Sequence, residues 1–379
     1  MATRYRADQV GSFLRPPAVK EAHIAHAEGR LTLEKLREVE DAAILELLEM
    51  QKQVGIDVFA DGELRRNGWA SGFGAAVEGY VPGRPSVQLR PELAGMPQRP
   101  PVAPTPGAAQ NAGPRVLGAP LKQLRRLTGH ESAFLRQHAP GPWKVTMPAA
   151  SYITARGYNP EISDKVFGSR AGLLKAVGEI INAEIKALMD EGCPYIQLDN
   201  PHYTDYVPDE RREQYKAIGI DPDQAMREDV EADNACLAGV DRSKVTIGMH
   251  FCRGNTPGGG WHTAGGYDRI AEIVFGGLDV DAFLLEYDSD RAGTFEPLRY
   301  MPKGKTAVLG LVTTKSGALE SQELLLQRIQ EASKYMDLDD MTLSPQCGFS
   351  STFQGNPLTA EEQRRKLQLV VETARKVWK

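Results

Sequence analysis

The feature that most constrains this chain is a repeat: short apolar runs that close on polar residues, most of them followed by apolar side chains at helical spacing. Runs at 5–11, 58–60, 143–148, 195–198, 245–250, 282–285, 307–312 and 341–343 predict eight strands. Between them, Leu33, Leu36, Val39, Ala43, Leu47 and Met50 mark one helix, with Thr32 placed to cap it and Gly55 to end it. Further helices are predicted over 171–188, 225–237, 267–275, 322–332 and 359–377. Strands alternating with helices predict an α/β fold, a (β/α)8 TIM barrel spanning residues 1–379 as a single catalytic domain. In such a barrel the C-terminal ends of the strands carry the chemistry. Here seven of the eight ends offer polar groups: Ser12, Glu63, Asp199, His250 with Cys252, Glu286, Lys315 and Cys347.

One stretch breaks the pattern. Residues 75–142 hold twelve prolines between Pro82 and Pro142, together with clustered alanine and glycine, and predict a long excursion with one helix near 121–127, read as a lid or as a homo-oligomer contact. The glycine-rich loop at 254–266 lacks the spaced glycines and the Lys-Ser/Thr of a phosphate-binding loop, so it is read as a flexible active-site loop. A net charge of −5 offers no basic surface and argues against a nucleic-acid partner. No apolar run of about 18 residues and no apolar leader at Met1 are present, so no membrane partner and a cytoplasmic location are expected. Four cysteines are too sparse for a disulfide framework; Cys193 and Cys236 read as small buried hydrophobes, whereas Cys252 and Cys347 call for a chemical role.

That role is metal ligation. Imidazole nitrogen and thiolate are good zinc donors, and His250, Cys252, Glu286 and Cys347 come from three strand ends, unlike a closed structural site built from one local loop. Two thiolates and a carboxylate leave Zn2+ a weak Lewis acid for water. The set suits instead a further thiol, held deprotonated as a zinc-bound thiolate and alkylated on sulfur.

The segments Val10-Gly11-Ser12-Phe13, Asp61-Gly62-Glu63, Ile196-Gln197-Leu198-Asp199-Asn200-Pro201, His250-Phe251-Cys252, Leu285-Glu286 and Pro345-Gln346-Cys347-Gly348 occur in one order along nearly the whole chain. In these the sequence resembles the C-terminal catalytic barrel of cobalamin-independent methionine synthase and its single-barrel relatives. The resemblance implies a zinc-dependent S-methyltransferase with His250, Cys252, Glu286 and Cys347 on zinc, and with Gly11, Ser12, Glu63 and Asp199 around the amino-acid part of a homocysteine-like thiol. Its partners would be a small-molecule thiol and an alkyl donor. Lys315 stands where the synthase has its acid/base histidine, and Asn200 where it has an acidic residue. Trp143, Tyr152 and Asp205 lie in the neighbourhood of its pterin site. Epoxyalkane:coenzyme M transferase is the alternative relative, for whose sulfonate Arg65, Arg66, Arg253 and Lys315 are the candidate cations.

Overall fold

The computed structural model describes residues 3–87, 114–256 and 258–378. Helices Pro17–Ala27 and Leu33–Val54 open the chain and pack on each other. The second begins where the Thr32 side chain accepts a hydrogen bond from Lys35 N and ends at Gly55 in the left-handed conformation, as its sequence predicts. A short helix, Ser71–Ala76, leads into strand β1 (Val77–Pro82), which pairs antiparallel with β2 (Arg115–Gln123). The helix expected at 121–127 is thereby corrected: 121–123 are the end of β2, 124–127 are irregular, and the helix that follows is Gly129–His138. What decides this is tertiary. Leu117 and Val116 lie opposite Tyr80 and Val81, and the ribbon packs on helix Pro160–Phe167, a contact that local spacing does not signal. Residues 88–113, the greater part of the expected excursion, lie outside the described residues.

Strands β3 (Lys144–Pro148), β4 (Tyr195–Asp199), β5 (Thr246–Phe251), β6 (Ala282–Glu286), β7 (Thr306–Val312) and β8 (Met341–Pro345) form a parallel sheet in sequence order. Each is buried along its whole length, as parallel strands beneath covering helices must be. The strands expected at 5–11 and 58–60 are each represented by one parallel bridge, Ala7 to Leu343 on β8 and Phe59 to Trp143 beside β3. Asp8 N donates to Leu343 O (2.9 Å), Lys144 N to Phe59 O (2.8 Å) and Asp57 N to Ala7 O (3.0 Å), so both segments are tied to a sheet edge and to each other. Side chains supplement this sparse ladder. The fully buried Lys144 ammonium donates to Asp8 Oδ1 (2.7 Å) and Gln197 Oε1 (2.8 Å), satisfying charges that burial alone would make costly. Gln197 Nε2 then donates to Asp199 Oδ1 (2.7 Å), carrying the network to the strand ends. Among the described residues no helix is long and apolar enough to cross a membrane.

Candidate metal centre and cavity

The C-terminal strand ends converge on a cavity of about 280 Å³. His250 comes from the end of β5, Cys252 from just beyond it, and Cys347 follows β8; one ligand atom from each lies within 4.8 Å of the others. All three are buried. His250 Nδ1 lies 3.2 Å from Leu284 O, and because a carbonyl only accepts, this bond fixes the proton on Nδ1. Nε2 is buried and without a hydrogen-bond partner. The two thiols behave as a pair: a hydrogen bond from Cys252, joined by the charges of His250 and Lys315, holds Cys347 well below the usual thiol range against the effect of burial. One orphaned imidazole nitrogen beside two thiols, one of them readily ionised, fits a soft divalent cation such as zinc.

Glu286 does not join these three. Its carboxylate accepts from Arg253 N (2.6 Å) and pairs with Arg291. Burial opposes its ionisation, but Lys315, Arg253 and Arg291 prevail and hold its pKa at about 2. Lys315 is buried but absent from the cavity wall; its ammonium donates to Gly254 O (2.9 Å) and Asn255 Oδ1 (3.4 Å).

The expected amino-acid site is partly assembled. Ser12, Glu63 and Asp199 all line the cavity. Glu63 sits at φ 55°, a left-handed position rare for a non-glycine residue, made tenable by Asp61 Oδ1, which accepts from Glu63 N (3.0 Å). Glu63 Oε1 accepts from Thr146 Oγ1 (2.6 Å), and its Oε2 is buried with no partner. Burial pushes the Glu63 carboxyl up, and it raises that of Asp199 to about 7. Two buried acids at one end of the cavity make a site for a cation. Gly11, φ 124°, is behind the wall: a Cβ there would lie 2.7 Å from Thr146 Cγ2 and 2.9 Å from Glu63 Oε1. Asp205 also lines the cavity, neutralised by Arg156 (2.5 Å).

Among the aromatic residues flagged by the sequence, Tyr152 lines the cavity against Trp69, their rings 4.6 Å apart, whereas Trp143 belongs to the core beside Phe59. Asn200 is structural, donating to Ser151 Oγ (2.6 Å) and Asp233 Oδ2 (2.9 Å). The candidate sulfonate cations already have partners: Arg65 pairs with Glu40 and Asp41, Arg66 with Glu131 and with the cavity-lining Glu63 (3.7 Å), and Arg253 donates to the carbonyls of Gly265, Glu286 and Ala292. Trp69, Arg156, Asn255 and His262 line the cavity without having been singled out. Trp69, Asn255 and His262 sit in loops, where no periodicity marks them, and Arg156 in the last turn of helix Ala150–Gly157; only the Gly-rich composition around Asn255 and His262 pointed there.

A parallel α/β sheet whose strand ends bring one histidine and two cysteines into a cavity with buried acids defines a class of protein whose strand-end residues could hold a metal ion. Comparison gives the family: residues 6–376 match the model of the cobalamin-independent synthase catalytic domain, and the chain belongs to that family of methionine-synthase-like methyltransferases. It is 36% identical over 383 residues to the uncharacterized protein YxjH of Bacillus subtilis, covering 99% of this chain and 95% of that one. To a methionine synthase of Pyrococcus abyssi it is 23% identical over 342 residues, covering 89% and 84%. A putative vitamin-B12-independent methionine synthase from Listeria monocytogenes superposes with a TM-score of 0.75 at 27% identity, covering 100% and 99%.

Proposed function

We propose that this protein is a zinc-dependent S-methyltransferase for a homocysteine-like amino thiol, working as a single domain on a closed (β/α)8 barrel. The observation that carries the reading is the placement of His250, Cys252 and Cys347 in one cavity with Glu63 and Asp199. Those three residues would hold the metal, and Glu286 would have to release Arg253 and Arg291 to join them. Zinc, when bound, would supply the positive charge that keeps a substrate thiol deprotonated near neutral pH.

The remaining work belongs to the chain. Glu63 and Asp199 bind the substrate ammonium, which gives the partnerless Glu63 Oε2 a donor and offsets the burial of the two acids. Ser12, which lines the same cavity, offers its hydroxyl to the substrate carboxylate. The lining Trp69, Tyr152 and Pro201 exclude water from the sulfur, so that it meets the donor carbon rather than a proton. The test is metal analysis of the purified protein, followed by methionine formation from homocysteine with 5-methyltetrahydrofolate or methylcobalamin as donor. One zinc per chain, and transfer that chelation abolishes, is the expected result; full transfer by zinc-free protein refutes it.

A further inference from the structure

His262 is a titratable group on the cavity wall that the proposed chemistry leaves without a task, and the inference drawn from it rests on that reading. It stands on the loop that follows β5, and its Nδ1 is buried with no hydrogen-bond partner. His262 shares the cavity wall with Arg156 and Asp205. The charges that act on its ring are those of Arg156, Asp205, Arg211 and Lys315, whereas Asp199 answers to His250, Glu63 and Cys347. Asp205 is already paired with Arg156 (2.5 Å) and with His202 Nδ1 (3.2 Å). The ring of His262 therefore brings an open hydrogen-bonding position to the cavity wall it shares with the Arg156–Asp205 pair. Burial, with the charge of Arg156 adding to it, lowers the imidazole to about 4, so the ring is neutral at physiological pH.

The loop that carries His262 is set by Lys315. The lysine ammonium donates to Gly254 O (2.9 Å), and a Cβ on Gly259 would fall 2.3 Å from Lys315 O, so the two backbones touch. Gly254, at φ 95°, lets the chain double back: His262 N donates to Arg253 O (2.6 Å), and a Cβ on Gly254 would lie 2.4 Å from the His262 ring.

We propose that His262 contacts the alkyl donor through Nδ1, and that Lys315 is a positioning residue that pins the loop carrying it. The role explains why a lysine is serviceable at position 315: a fixed ammonium holds two carbonyl oxygens well although it is a poor proton shuttle.

Calorimetric titration of the zinc-loaded protein tests this, with 5-methyltetrahydrofolate and methylcobalamin as donor probes and homocysteine as the thiol probe. His262→Ala should weaken the bound donor about tenfold and leave homocysteine within about twofold of wild type, the scale of one hydrogen bond. His262→Asn, which keeps a polar atom at the δ position, should recover most of the loss, and His262→Gln should not. Lys315→Met should reproduce the donor-only defect, and the double variant should be no weaker than His262→Ala alone, because one residue acts through the other. Equal weakening of donor and homocysteine overturns the proposal, and additive losses overturn the part given to Lys315. If wild type binds neither donor, the methyltransferase reading falls together with the proposal. A donor held equally by wild type and His262→Ala sinks the proposal alone.

Discussion

Replacing Asp199 with asparagine probes the amino-acid site most directly. Asp199 Oδ1 already accepts from Gln197 Nε2 (2.7 Å), whose orientation is set in turn by Lys144 (2.8 Å). In the variant this bond keeps the amide oxygen in place and turns the new NH2 toward the cavity. A donor then faces the substrate ammonium where an acceptor stood. Losing one charged hydrogen bond costs about 1.5–3 kcal/mol, or roughly 10- to 150-fold in the dissociation constant of homocysteine. The desamino analogue, which has no ammonium, should bind within about twofold of wild type on the same scale. Isothermal titration with the two thiols gives the comparison. A built-in control separates misfolding from lost recognition. Burial raises the Asp199 carboxyl from 3.8 to about 7, so in the metal-free protein its ionisation opposes folding increasingly as pH rises between those values, and an uncharged asparagine escapes the penalty. The variant should therefore melt no lower than wild type at pH 8. Equal losses for both thiols, in a variant that melts normally, would refute the pairing of this carboxylate with an ammonium.

Cys252→Ser and Cys347→Ser should each lose most bound zinc by elemental analysis, since a hydroxyl replaces a thiolate donor; wild-type zinc in both would remove the metal assignment. Chelation should leave far-UV circular dichroism unchanged, because the sheet and its helices are held by a continuous apolar core that does not include the ligands, and loss of the helical signal would contradict this. Gly11→Ala places a methyl against Thr146 and Glu63 at a left-handed φ and should cost about 1–3 kcal/mol of stability by chemical denaturation, with weaker homocysteine binding as Glu63 moves. Glu184, fully buried, accepts from Arg126, from the backbone of Leu127 and Thr128 and from the Thr128 hydroxyl. Burial works against its ionisation, but these partners outweigh it and lower its carboxyl. Its stabilisation is therefore present above about pH 4.5 and fades as pH falls through the lowered value. Glu184→Gln should destabilise at pH 7 by about 1–3 kcal/mol and converge on wild type in acid, and a constant difference down to pH 2 would count against the assignment.

By itself the sequence determined the elements that local physics encodes. Helix 33–54 was readable from its apolar spacing and its caps, and strands β3 to β8 from buried runs too short for helices, because burial period and capping chemistry act within a few residues. The histidine and cysteines proposed to hold the metal were legible for the same reason, each being a reactive residue at the end of such a run. Tertiary structure decided what depends on residues distant in the chain. Ribbon β1–β2 exists because Arg115–Gln123 finds Val77–Pro82 and the helix beneath it, so an isolated reading of 121–127 could not select strand. The strands expected at 5–11 and 58–60 dwindle to single bridges because the buried Lys144 network takes over part of the job of backbone pairing. Glu286 stands away from His250 and the two thiols because Arg253 and Arg291 reach its carboxylate, and Lys315 turns to the 254–262 loop because carbonyl oxygens there accept its protons. A side chain's residue type limits the chemistry it can do. Which of its possible partners it meets is settled by loops folding over the strand ends, and no periodicity in the chain records that.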